Sequence, residues 1–209
     1  SVRRQRQMCI RDRIITTAEG GLATTQNQKL AESMDLARSH GITRDPMLYE
    51  DPSQGSWYYE QITLGFNYRM TELQAALGLS QMKRLKEIVD RRTALAARYD
   101  KLLANLPVQR PIQAPSTGSS WHLYVIQVPK NHHSQIFDYL KSAGIGVNIH
   151  YIPIHRHPFY RSMGFKLGQF PNAESYYSKS ISIPLYFGLT EKDQNKVCAT
   201  LEQCFLRIT

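Results

Sequence analysis

Long apolar runs are missing from this chain of 209 residues. None approaches the roughly 18–20 residues that a helix needs to cross a bilayer. No apolar stretch follows the basic N-terminal residues, so that end does not read as a secretory signal. Cysteine is scarce: Cys9, Cys198 and Cys204 stand without a Cys-x-x-Cys pair. They form no disulfide framework, and a reducing cytoplasm with no membrane partner is the expectation. Cys198 and Cys204 read as inert apolar filler of one helix. Negative charge is also short, with 17 acidic against 26 basic residues and a formal net charge of +9. Such a balance normally points to nucleic acid. However, Arg3, Arg4, Arg6 and Arg11 against Asp12 account for +3 of it, leaving +6 for the rest. Much of the basicity therefore lies in the opening "SVRRQRQMCIRDR".

Beyond that opening, "IITTAEGGLATT" has the composition of a strand, a Gly-Gly turn and a second strand. "NQKLAESMDLARSHG" predicts a helix capped by Asn27 and ended by Gly41. Residues 42–66 are polar and carry the aromatic cluster "WYYE". A loop that long in a compact domain is usually functional or packs on a partner. "TELQ" at Thr71–Gln74 is a capping box. Apolar residues recur behind it from Leu73 to Leu103, predicting one long amphipathic helix or two nearly collinear ones. Pro111–Ser120 marks a boundary. Past it, "WHLYVIQV" predicts a strand, "HSQIFDYLKSAG" a helix, "IGVNIHYIP" a strand and "SISIPLY" another. A closing helix follows, capped by Thr190. This order suggests a small α/β domain on a mostly antiparallel sheet.

Two stretches carry chemistry. In "GFNYRMTELQAALG" a Gly-led turn delivers Asn67, Tyr68 and Arg69 just before a helix N-terminus. An amide, a guanidinium and free N–H groups there suit an anion such as phosphate. A plain helix cap with a surface arginine has the same pattern. "NIHYIPIHRHPFY" gathers His150, His155 and His157 with Tyr151 and Tyr160. No Cys or acidic residue joins them, so zinc is not expected. A polar pocket wall and a His-rich surface loop both fit. His132 and His133 read as surface residues, and His40 as a cation at a helix end.

From residue 14 onward the chain resembles the second half of a DegT/DnrJ/EryC1-type sugar aminotransferase. The segments that carry the likeness are "ITTAEGG", "LARSHGI", "GFNYRMTELQAALGLSQ", "WHLYVIQV", "GIGVNIHYIPIH" and "ISIPLY", in matching order. The resemblance implies an α/β fold of fold-type I, dependent on pyridoxal 5'-phosphate (PLP) and here truncated. It would comprise the tail of a large domain, a long linking helix and a small α/β C-terminal domain. It implies amino transfer from glutamate to the 4-keto carbon of a UDP-linked deoxysugar, in a homodimer and without nucleic acid. Asn67 matches an amide that reaches the cofactor phosphate of the neighbouring subunit. The loop before Asn67 and the helix after it would then belong to the dimer interface. His150 and Tyr151 match a segment near the sugar nucleotide, and Arg69 is assigned to the substrate side with them.

The family also implies a lysine two residues before "ITTAEGG", which holds the cofactor and moves a proton. That position is Arg13. A guanidinium with a pKa above about 12 is not a free amine at neutral pH. A common transposon sequencing adapter, translated in this frame, gives Arg-Arg-Gln-Arg-Gln-Met-Cys-Ile-Arg-Asp, which is Arg3–Asp12 without a mismatch. Arg13 then reads as two adapter bases fused to the last base of a lysine codon. The expected organisation is therefore 1–12 adapter-derived, non-native and disordered, and 13–66 the end of the large domain with its dimer loop. The linking helix would occupy 67–106 and the small domain 107–209. No catalytic residue is intact, and the chain is expected to be inactive. It is also expected to fold poorly, because surfaces that pack on the missing half are apolar. Two alternatives remain: a basic binding protein on a degenerate aminotransferase scaffold, and a PLP-dependent sugar dehydratase, whose lysine is replaced by His rather than Arg.

Overall fold

The computed structural model describes residues 14–208. Arg13 and the segment assigned to the adapter lie outside the described residues. These fall into two compact units, one of residues 15–83, the other of residues 84–208 with Ile14.

The C-terminal unit holds the hydrophobic core. Strand β3 (Tyr124–Gln127) pairs antiparallel with β4 (Ser180–Ile183), Tyr124 opposite Ile183 and Ile126 opposite Ile181. (The first two strands belong to the other unit.) Single bridges extend the sheet on both sides, Gln109 to Gln127 and Asn148 to Ser182. β4 is buried at all four positions and β3 at alternate ones. Helices α3 (Leu85–Leu102), α4 (His133–Ser142) and α7 (Glu191–Ile208) supply the rest of the core. Leu95 and Tyr99 of α3, Ile136 and Leu140 of α4, and Val197, Leu201 and Phe205 of α7 are buried in it. Each such aliphatic side chain contributes about 1.5–3 kcal/mol by leaving water. Thr190 caps α7 as expected: its hydroxyl accepts from Asp193 N–H at 3.1 Å, and the Asp193 carboxylate accepts from Thr190 Oγ1 at 2.6 Å. Two short helices, α5 (Pro158–Ser162) and α6 (Pro171–Tyr177), precede β4.

The N-terminal unit is built differently. Helix α1 (Gln28–Arg38) is capped by Asn27, whose side chain accepts from Leu30 N–H at 3.1 Å. β1 (Ile42–Thr43) pairs antiparallel with β2 (Glu60–Gln61). Helix α2 (Glu72–Met82) starts at Thr71 with the predicted capping box. Within residues 15–83 only Gly41 and Thr43 are buried. Leu64 and Leu73 are each 86% exposed, and Trp57, Phe66 and Tyr68 are exposed too.

Several expectations are corrected. "IITTAEGGLATT" forms no hairpin. Its backbone pairs with glutamine side chains of α2 instead of with a second strand. The run from Leu73 to Leu103, read as one long helix or two, forms two helices, separated at Lys83–Arg84, where Arg84 has left helical backbone geometry (φ −104°, ψ 5°). The two helices fall in different units. "IGVNIHYIP" contributes only the Asn148 bridge, not a full strand. His133 is half-buried rather than a surface residue, with Nε2 3.0 Å from the Ser180 carbonyl oxygen.

Candidate functional site

Asn67 and Arg69 belong to the N-terminal unit. The chain reaches Asn67 by crossing the end of α1 at close range. Phe66 N–H donates to Ala37 O at 2.6 Å, His40 N–H to Phe66 O at 2.8 Å, and Tyr68 N–H to Arg38 O at 2.9 Å. Glycine is required on both sides of this crossing. A Cβ on Gly65 would lie 2.2 Å from Gly41 N, and one on Gly41 (φ +70°) would lie 1.9 Å from Thr63 O. Asn67 pairs with Ser39 through an isolated bridge, leaving its side chain exposed. Arg69 is exposed as well, two residues before the cap of α2. Among the described residues neither side chain has a hydrogen-bond partner.

The loop before Asn67 is tied down by one carboxylate. Glu60 accepts from Glu50 N–H at 2.7 Å, Asp51 N–H at 2.9 Å and Tyr58 O–H at 2.9 Å. These backbone N–H groups lower the Glu60 pKa, and the carboxylate pushes the Tyr58 phenol up to about 12. Sequence reasoning missed Glu60, which stood in the text only as the last letter of "WYYE".

His150 and Tyr151 belong to the C-terminal unit. His150 Nδ1 lies 2.7 Å from Ser182 Oγ in β4, and its ring meets Tyr151 edge-on at 4.7 Å. Burial first, and His122 second, hold the His150 pKa below its usual value. Its imidazole is therefore neutral at pH 7, and Tyr151 is 63% exposed beside it. Ser182 went unnoticed in the sequence because "SISIPLY" shows only a strand pattern.

His155 has a different place. It is buried, with Nε2 2.8 Å from Glu174 Oε1 and its ring 4.8 Å from that of Phe170. Glu174 Oε1 also accepts from Gly168 N–H at 2.7 Å. This histidine ties the turn at Ile154–Arg156 to α6, while His157 remains exposed. No group of three or more His, Cys, Asp or Glu among the described residues could hold a metal ion. Cys198 and Cys204 are buried in α7, and burial raises both thiol pKa values, Cys198 to about 11.

The residues present meet the demands of a phosphorylated pyridoxal cofactor only in part. An exposed amide at Asn67 suits the phosphate, as hydrogen-bond donors do. The amine that would hold the aldehyde has no counterpart at position 13, where Arg13 stands.

The chain is similar to known proteins over most of its length. The model of the DegT/DnrJ/EryC1/StrS aminotransferase family matches residues 11–202. The chain is 34% identical to the UDP-4-amino-4,6-dideoxy-N-acetyl-beta-L-altrosamine transaminase of Campylobacter jejuni, over 90% of this chain and 48% of that protein. Helicobacter pylori PseC, an aminotransferase involved in the biosynthesis of pseudoaminic acid, superposes with a TM-score of 0.80 at 29% identity, over 93% of this chain and 51% of that one. A putative sugar aminotransferase of Streptococcus pneumoniae, Spr1654 in its PMP form, gives 0.80 at 25% identity, over 90% and 48%. The chain spans about half the length of the curated relatives it matches. It has the α/β fold of these fold-type I sugar aminotransferases, in truncated form, and it belongs to the DegT/DnrJ/EryC1/StrS aminotransferase family.

Proposed function

We propose that the parent of this chain transfers an amino group from glutamate to the 4-keto carbon of a UDP-linked deoxysugar, and that the 209-residue form is itself inactive. The observation that carries the reading is the joint match to the Campylobacter transaminase and to PseC. PLP, when bound, would supply the electron sink for the transfer. Asn67 would donate its amide to the cofactor phosphate of a neighbouring subunit. Arg69, His150 and Tyr151 would face the sugar nucleotide. A neutral His150, turned by Ser182, can donate or accept a hydrogen bond without carrying charge to the substrate. The exposed Trp57, Phe66, Tyr68 and Leu73 support a homodimer, since apolar side chains of that size are usually covered by a partner.

The organisation proposed is a large-domain tail at 13–66, a linking segment at 67–106 and a small domain at 107–209, behind an adapter-derived residue run at 1–12. Genomic sequence upstream of "ITTAEGG" tests it. A Ser-x-His-x-x-Lys run ending at position 13 is expected. A continuous natural reading frame through "RRQRQMCIRDR" would overturn the assignment. The purified chain, incubated with PLP and reduced with borohydride, should carry no adduct at any specific lysine, and a single modified lysine would overturn its inactivity.

A further inference from the structure

Asn148 and Ser182 of β4 form a backbone pair. Asn148 N–H donates to Ser182 O at 3.2 Å, and Ser182 N–H donates to Asn148 O at 2.8 Å. Residues paired in this way put their side chains on the same side of a sheet. The His150 imidazole meets both of them. Its Nδ1 lies 2.7 Å from Ser182 Oγ, and its Nε2 lies 3.5 Å from Asn148 Nδ2. Ser182 by itself leaves the ring undecided, because a hydroxyl can donate or accept. Asn148 decides it. Its Oδ1 accepts from Ile149 N–H at 2.8 Å, which turns the other end of the amide, Nδ2, toward the ring. An amide NH2 group only donates. Nε2 therefore carries the lone pair, and the proton sits on Nδ1, from which it is donated to Ser182 Oγ. Ser182 is fully buried, so its hydroxyl is shielded from competing water.

We propose that Asn148 and Ser182 are positioning residues that hold His150 as its Nδ1–H tautomer, so that Nε2 is an acceptor and meets a hydroxyl or amide N–H of the sugar rather than a phosphate oxygen. The ligand half of this rests on the reading of His150 as facing a sugar nucleotide. The hydrogen bond at one ring nitrogen sets what the other can do. A phosphate oxygen only accepts, as a bare Nε2 does, and the two repel. A sugar hydroxyl, or the N–H of an acylamino substituent, supplies the donor. The contact from Asn148, at 3.5 Å, is at the outer limit of a hydrogen bond and leaves the lone pair open to a shorter one. The ring can be reached, since His150 is only half-buried and Tyr151 beside it is exposed. Protonation would turn Nε2 into a donor. Burial, and then His122, oppose it by holding the His150 pKa below its usual value.

Long-range proton–nitrogen NMR of the histidine-labelled 209-residue chain reads the tautomer directly. At about pH 8, above the usual histidine range, His150 should show a protonated Nδ1 and a bare Nε2. Asn148→Asp keeps the acceptor for Ile149 N–H and replaces the donor by a second acceptor. It should move the proton to Nε2, with Ser182 Oγ turning to donate to Nδ1. Ser182→Thr keeps the hydroxyl and should keep the tautomer. A bare Nδ1 in the unsubstituted chain, or an unchanged tautomer in Asn148→Asp, overturns the assignment.

The ligand side is read in the full-length enzyme carrying its upstream half, with UDP-N-acetylglucosamine and inorganic pyrophosphate as probes. Saturating UDP-N-acetylglucosamine should shift the Nε2 resonance and leave the ring neutral. Asn148→Asp, with its proton already on Nε2, should bind this probe about tenfold more weakly, the worth of one ordinary hydrogen bond. Pyrophosphate should leave the His150 resonances and their pH midpoint unmoved. A midpoint raised by pyrophosphate, an Nε2 resonance unmoved by bound UDP-N-acetylglucosamine, or equal affinity in Asn148→Asp overturns the donor preference. Failure of the full-length enzyme to bind UDP-N-acetylglucosamine overturns the sugar-nucleotide reading itself, and the tautomer result still decides the roles of Asn148 and Ser182.

Discussion

From inside the C-terminal core, the Arg92 guanidinium donates to the carbonyl oxygen of Leu185 at 2.9 Å. The same Nη1 reaches Trp121 O at 2.9 Å and His122 O at 3.2 Å. One side chain of α3 thus ties the approach to β3 to the exit from β4. Arg92→Met keeps much of the volume and removes the donors, leaving buried carbonyls short of a partner. A loss of about 2–4 kcal/mol in urea unfolding followed by circular dichroism is expected. A loss under about 1 kcal/mol would contradict the arrangement.

Apolar side chains of the two units should respond in opposite ways to truncation. Leu201 is fully buried, whereas Leu73 is 86% exposed. Leu201→Ala should cost about 2–5 kcal/mol, the range for cavities in close-packed cores. Leu73→Ala should stay within about 0.5 kcal/mol in this chain, as surface substitutions do. Equal effects in the same denaturation assay would refute the contrast.

Acid should loosen the segment between His155 and Glu174. The hydrogen bond from His155, and then the Gly168 N–H, hold the Glu174 pKa below 4.5. A carboxyl with a depressed folded pKa stabilises above its unfolded value and loses that contribution as pH falls through the folded one. Carboxyl NMR should place the Glu174 midpoint below 4.5. Glu174→Gln should remove this part of the acid sensitivity, and a midpoint at or above 4.5 would contradict it.

His150 carries a second pH dependence. Its pKa is lowered from 6.5 by burial and by His122. An unfolded histidine then takes up its proton first as pH falls. The resulting destabilisation begins near pH 6.5 and is complete below the folded pKa. The drop in stability between neutral and mildly acidic pH should therefore be smaller in His150→Gln. An equal drop in both proteins would count against a neutral, half-buried imidazole.

Much of the fold was legible in the text because its signals are local. The caps at Asn27, Thr71 and Thr190 each depend on residues three positions apart, and all three formed. The alternation in "YVIQ" and the helical spacing of Ile136 and Leu140 report directly which side is buried. The misreadings share a cause. "IITTAEGG" has strand composition, but its peptide groups found partners on Gln81 and Gln74, 65 and 55 residues away. Asn67 was visible through its place before a capping box. Ser182 and Glu60 were not, since their partners come from other elements.

The sequence by itself determined the family, the capped helix starts at Asn27, Thr71 and Thr190, and the absence of a lysine at position 13, because these are properties of residue order and side-chain chemistry. Only the tertiary structure decided that His155 is a buried pin while His150 faces Ser182, and that Gln81 and Gln74 of α2 pair with the backbone of Thr16 and Glu19. The physical reason is that a hydrogen bond counts donors and acceptors in space. Residues distant along the chain satisfy one another only after packing brings them together, and no local pattern records the pairing.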